Sequence, residues 1–143
     1  MLKDASAARS ERRHLRRRRV LLGGVICDAY GETVIDCTIR GLSGGGAQVQ
    51  LAETLQLDKE VYLVDTWKDW AYFAKVAWTK ADRAGLSFLR SYGLSPAPPA
   101  PLQFLKGVLL DAKLRQVRAL VERGRSPEEA TRMVGIKHKG IAR

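Results

Sequence analysis

Two groups of residues in this chain are equipped for chemistry. The first is an arginine cluster within ERRHLRRRR (11–19), where Arg12 stands four residues before Arg16, and Arg13 four before Arg17. A guanidinium is a planar fork of donors. It fits phosphate oxygens and the O6/N7 edge of guanine, and its face stacks on a base. The second is the turn Gly41-Leu42-Ser43-Gly44-Gly45-Gly46-Ala47. Consecutive glycines permit positive φ and let another molecule approach the main chain, while Ser43 and the turn amides can receive a polar or anionic group. Taken singly, each group has a plainer reading: a solvated basic arm, and a hairpin loop that needs glycine for its geometry. Nothing else looks catalytic. His14 and His138 fall in basic segments, Ser43 has no evident base, and no Cys or His pair has metal-ligand spacing. The expectation is a protein that is not an enzyme and has no metal or cofactor.

These residues need a scaffold, and the hydrophobic pattern indicates one. Residues 1–18 lack apolar periodicity and read as a flexible basic arm. Residues 19–92 read as six short strands at 19–28, 33–42, 46–52, 61–66, 70–79 and 84–90, with turn signals and no helix between them. Ile35, Cys37 and Ile39 share a face, as do Ala47, Val49 and Leu51. So do Tyr72, Ala74, Val76 and Trp78, which predicts Trp78 in the core; Trp67 and Trp70 flank a turn and would cap the strand ends. The pattern specifies a mainly β protein, an antiparallel barrel or sandwich.

Residues 93–101 are a Pro-rich linker, and 102–143 a helical extension. Its long helix, expected over 102–123, has two apolar stripes. One is Leu102, Leu105, Val108, Leu109 and Ala112; the other is Leu110, Leu114, Val117 and Val121. The first should pack on the barrel. The second should meet either a short helix at 127–134, folded back through Ala130, Met133 and Val134, or a second copy in a homodimer. Ser126-Pro127-Glu128-Glu129 starts the short helix, with Glu129 placed to close a capping box.

A chain of 143 residues with 45% hydrophobic and 28% charged residues is one ordinary domain, or one with an appendage. No apolar run is long enough to span a bilayer, and no apolar signal segment follows the positive N-terminus. A cytoplasmic protein with Cys27 and Cys37 reduced is expected. The net charge of +10 is concentrated at the two ends, with residues 1–19 and 96–143 each at +6 and residues 20–95 at −2. Basic ends around a nearly neutral body favour an anionic partner: a nucleotide, a nucleic acid, or an acidic protein or membrane surface.

The order of the motifs adds to this. An arginine pair, a strand, and then a strand ending in x-x-Ser-x-x-Gly resembles the bacterial PilZ domain family, whose signature is RxxxR followed roughly 20 to 30 residues later by (D/N)xSxxG. Here the second part reads CTIRGLSGGGAQV, and VAWTKADRAGLSF resembles the family's last two strands, so the resemblance spans about residues 11–90. It implies a six-stranded antiparallel β-barrel that binds cyclic di-GMP, a second messenger. In the family the arginines clasp guanine edges and phosphates, and the (D/N)xSxxG turn lies beneath the ligand. The implied ligand residues are Arg13 and Arg17, or Arg12 and Arg16 in the neighbouring register, together with Gly41, Ser43 and Gly46. One position departs from the family. Gly41 stands where an Asp or Asn would accept from guanine, a loss of about 1–3 kcal/mol.

The implied function is a cyclic di-GMP receptor or adaptor that signals to a downstream protein by conformational change. A degenerate, protein-binding barrel without nucleotide is the alternative that Gly41 favours. A nucleic-acid-binding protein is the third reading: SPEEATRMVGIKHKGIAR faintly resembles a helix-turn-helix, but the recognition helix such a motif needs is not among these residues, so nucleic acid is the weaker expectation.

Overall fold

Strict alternation in the second and third strands sets an inside and an outside, and closure of the sheet follows from it. A computed structural model describes residues 18–135. The strands are β1 (Arg18–Cys27), β2 (Val34–Leu42), β3 (Gly46–Leu51), β4 (Glu60–Asp65), β5 (Trp70–Lys80) and β6 (Arg83–Gly93). They form a closed antiparallel barrel in the order β1-β2-β3-β6-β5-β4. Ile35, Cys37 and Ile39 of β2 and Ala47, Val49 and Leu51 of β3 point inward, where they meet Ile26, Val61, Leu63, Tyr72, Ala74, Ala84 and Leu86. Closure leaves no sheet edge to template further pairing.

A turn of 3₁₀ helix (Ala100–Leu102) leads into α1 (Gln103–Glu122), and α2 (Pro127–Val134) follows. The first apolar stripe packs as expected. Leu105, Val108, Leu109 and Ala112 are buried against Val25, Cys27, Val64, Ala71 and Leu94, forming a second core on the outside of the barrel. β1 is therefore apolar on both faces, with Ile26 turned into the barrel and Val25 and Cys27 toward the helix. This explains its unbroken hydrophobic run. The arrangement divides the barrel surface. The second core covers β4 and the nearer halves of β1 and β5; among the described residues it leaves uncovered β2, β3, β6 and the far ends of β1 and β5, the open wall, which α1 touches through the Arg115–Asp36 ion pair at 2.7 Å.

Polar contacts lock the helices down. Gln116 Nε2 donates to Thr66 Oγ1 at 3.0 Å, and Thr66 Oγ1 donates to the Gly23 carbonyl at 3.0 Å. A Cβ on Gly23 would fall 2.6 Å from Gln116 Nε2, so glycine makes room for this link. α2 folds back on α1 with Ala130 and Val134 buried, whereas Met133 remains 44% exposed. Ser126 Oγ caps α2 by accepting from the Glu129 amide at 3.1 Å. The expected capping box is only half formed, because the Glu129 carboxylate accepts from Arg125 at 3.0 Å. Among the described residues no helix is long and apolar enough to cross a membrane.

Candidate functional site

The turn after β2 is held by Ser43. Its Oγ accepts from the amides of Gly45 at 3.2 Å and Gly46 at 3.1 Å, and its own amide donates to the Gly46 carbonyl at 2.9 Å. The hydroxyl expected to receive a ligand is thus engaged in closing the turn, together with two of the amides. The glycines are not used for positive φ either: among the described glycines it is Gly31, Gly124 and Gly135 that adopt it. Gly46 is needed for a different reason. A Cβ there would lie 2.3 Å from the Leu86 carbonyl oxygen, in the backbone of β6. Ser43 and Gly46 therefore shape the rim of the open wall.

Register identifies what lies on that wall. Arg19 pairs with Gly41, Gly41 with Gln48, Gln48 with Gly85, and Gly85 with Trp78. This row crosses five strands of the barrel's outer face. Two of its members lack side chains, so Gln48 sits between shallow stretches of bare backbone. The indole of Trp78 lies over Gly85, where a Cβ would be 2.1 Å from its Nε1.

Trp78 is 39% exposed, and its expected place in the core is not what the structure shows. The cause is a bulge. Val76 pairs with Leu86 but Trp78 with Gly85, so Ala77 is an extra residue in β5 that inverts the alternation. A one-residue shift sends every later side chain to the opposite face. A second bulge, between Ile39 and Gly41, places Arg40 on the same wall, where its Nη1 donates to Gln50 Oε1 at 3.1 Å. Gln50 Nε2 in turn donates to Asp82 Oδ2 at 2.9 Å. Arg83 and Lys80 pair with each other at the β5-β6 turn, next to Trp78 along the strand. The wall thus combines a flat aromatic surface, a glycine floor, an amide and several cations.

Arg12, Arg13, Arg16 and Arg17 lie outside the described residues. The structure does show where their segment joins the barrel. β1 begins with Arg18 opposite Leu42 and Arg19 opposite Gly41, so the arginine cluster connects to the barrel beside the Ser43 turn. Sequence reasoning missed Gln48, Gly85, Trp78 and Arg40. A signal for Trp78 was present: a two-residue turn at Ala81-Asp82 pairs position 78 with 85, and the inward Ala84 and Leu86 force Gly85, and hence its partner, outward.

The two thiols are poor nucleophiles. Burial, reinforced by the neighbouring Asp28, pushes Cys27 up to about 12. Burial also raises Cys37, with Asp36 and Asp65 adding to it. Among the described residues no group of three His, Cys, Asp or Glu could hold a metal ion. No protein-family model matches the chain, and no curated protein matches it.

Proposed function

We propose that this protein is a receptor for cyclic di-GMP, in the manner of the PilZ domains its motifs resemble. The ligand would lie on the open β2-β3-β6 wall. The observation that supports this reading is the register: β1 starts beside Leu42 and Gly41, directly after Arg17 in sequence, on the face where Trp78 lies exposed over Gly85. Each part has a chemical use for a cyclic dinucleotide. A guanine can stack on the indole, worth about 1–3 kcal/mol per base. Guanidinium groups from Arg13 and Arg17, or from Arg12 and Arg16, can take phosphates and the guanine O6/N7 edge. Gln48, between two glycines, can approach a base edge with both donor and acceptor. It stands next to Gly41 and so can offset part of what the missing Asp or Asn would contribute.

The same wall suits a receptor that acts on a protein partner. Binding would order charged groups on an otherwise flat surface and change what that surface presents.

Calorimetric titration with cyclic di-GMP tests the proposal. Binding is expected, with Arg13→Ala and Arg17→Ala each weakening it by about tenfold or more, as loss of a charged hydrogen bond implies. Trp78→Ala should weaken it comparably while leaving the barrel folded, because the indole lies outside the core. Gly41→Asp should strengthen binding. No heat and no saturable shift with the intact chain would remove the nucleotide reading and leave the protein-binding barrel. A salt-dependent affinity for generic DNA, in place of cyclic di-GMP, would favour nucleic acid.

A further inference from the structure

α2 covers only part of the second stripe on α1. Leu110, Leu114 and Val121 are 46%, 55% and 38% exposed, and no described residue covers them. The spacing of Leu110, Leu114, Val117 and Val121 alternates four, three and four, which is the a/d seam of a coiled coil. Gly107 continues the seam by one step toward the N-terminus. A Cβ there would meet nothing within 4 Å among the described residues, so their packing gives no reason for a helix-weakening glycine at this position.

We propose that this face docks against the same face of a second copy of the chain, with the two α1 helices antiparallel. The proposal is independent of the ligand reading. The sequence of the stripe is complementary to its own reversal. Around a two-fold axis between positions 115 and 116, Leu110 meets Val121 of the other copy, and Leu114 meets Val117. Gly107 then falls opposite Gly124, the first residue beyond the C-cap and likewise open, which lets the helix ends approach closely.

The flanking charges select this direction. Asp111 and Arg118 occupy the same flank of the seam, both exposed, and an antiparallel pair sets each against its opposite in the other copy. A parallel pair would instead bring Arg118 toward Lys113 of the other copy, a like charge already committed to Asp69. The Lys113 flank also carries α2, through the Lys113 bond to the Gly135 carbonyl at 2.8 Å, so the Asp111–Arg118 flank is the open one.

Sedimentation equilibrium of the intact chain over a wide concentration series tests this. A reversible dimer is expected. Leu114→Lys should raise its dissociation constant about tenfold or more, with unchanged helical circular dichroism, since the side chain is largely exposed in the single copy. Asp111→Arg and Arg118→Asp should each weaken the dimer, and the double exchange should restore it. These exchanges lie on the surface, so they remain informative should Leu114→Lys disturb the helix. A chain that stays monomeric throughout, or a dimer indifferent to Leu114→Lys, would overturn the proposal. A double exchange no better than the single ones would overturn the antiparallel register.

Discussion

Lys113 is almost entirely buried on α1 beside Asp69, and replacing it with methionine separates packing from electrostatics. Its Nζ lies 2.6 Å from Asp69 Oδ1, and their side chains are only 4% and 13% exposed. That contact is an ion pair without good hydrogen-bond alignment, and among the described residues Oδ1 has no other partner. Nζ also donates to the Gly135 carbonyl, the residue that ends α2 in a left-handed conformation. One side chain thus ties α1, the β4-β5 turn and the end of α2 together. Methionine keeps most of the volume but leaves Asp69 without its counter-charge. Breaking a buried pair from one side costs about 3–5 kcal/mol. Water can reach the slightly exposed Asp69, so the lower end applies, about 3 kcal/mol, or roughly 10 °C in melting temperature for a domain of this size. The damage should be local at first, because Leu105, Val108, Leu109 and Ala112 hold α1 independently. Amide exchange across 127–134 should accelerate more than exchange in β2 and β3. Adding Asp69→Gly removes the orphaned carboxylate and relieves a residue at φ 59, so the double variant should recover more than half of the loss. A Lys113→Met protein melting within about 2 °C of the parent would refute the reasoning, as would a double variant no more stable than the single one.

Gly46→Ala should destabilise the barrel by about 1–3 kcal/mol in urea unfolding, because the Cβ meets the β6 backbone at 2.3 Å and neither strand can give way cheaply. Gly85→Ala should displace the indole of Trp78, seen as a shift in tryptophan emission, and weaken cyclic di-GMP binding without unfolding the barrel. Ala81, at φ 53 in the β5-β6 turn, should gain about 1 kcal/mol on replacement by glycine, measured by thermal melting. Asp28 presents a pH test. Partial burial pushes its carboxyl up, but hydrogen bonds from the backbone at Glu32, Tyr30, Thr33 and Gly31 together outweigh this and hold it below its ordinary 3.8. A carboxylate lowered on folding stabilises above its unfolded value, and that contribution is lost as pH falls through the folded one. The amide resonances of Tyr30, Glu32 and Thr33 should therefore move with a midpoint below pH 3.8, and a midpoint at or above 3.8 would contradict the hydrogen-bond account.

Much of the fold was legible locally. β2 and β3 alternate so strictly that their inward residues could be named, and the Pro and Gly punctuation bounded the strands. The Ser126-Pro127 start of α2 needed no tertiary context, because a cap is a matter of a few adjacent residues. The first stripe of α1 found the barrel as periodicity required. The neighbourhood of the candidate site was legible only as two separate motifs, and a hydroxyl that closes its own turn, as that of Ser43 does, looks in sequence like one that is free.

What tertiary structure alone decided follows from bulges and closure. An extra residue at Ala77 carries Trp78 from the inside of the barrel to the outside, and period-two reasoning has no means of locating such an insertion. Closure of the barrel brings Arg19, Gly41, Gln48, Gly85 and Trp78, spread over 67 positions of sequence, into one row. The choice of wall for α1 rests on which apolar strands stand side by side, and β1, β4 and β5 become neighbours only when the barrel closes. Composition and periodicity act along the chain and so determined the elements; the site is a relation between strands, and only their pairing could create it.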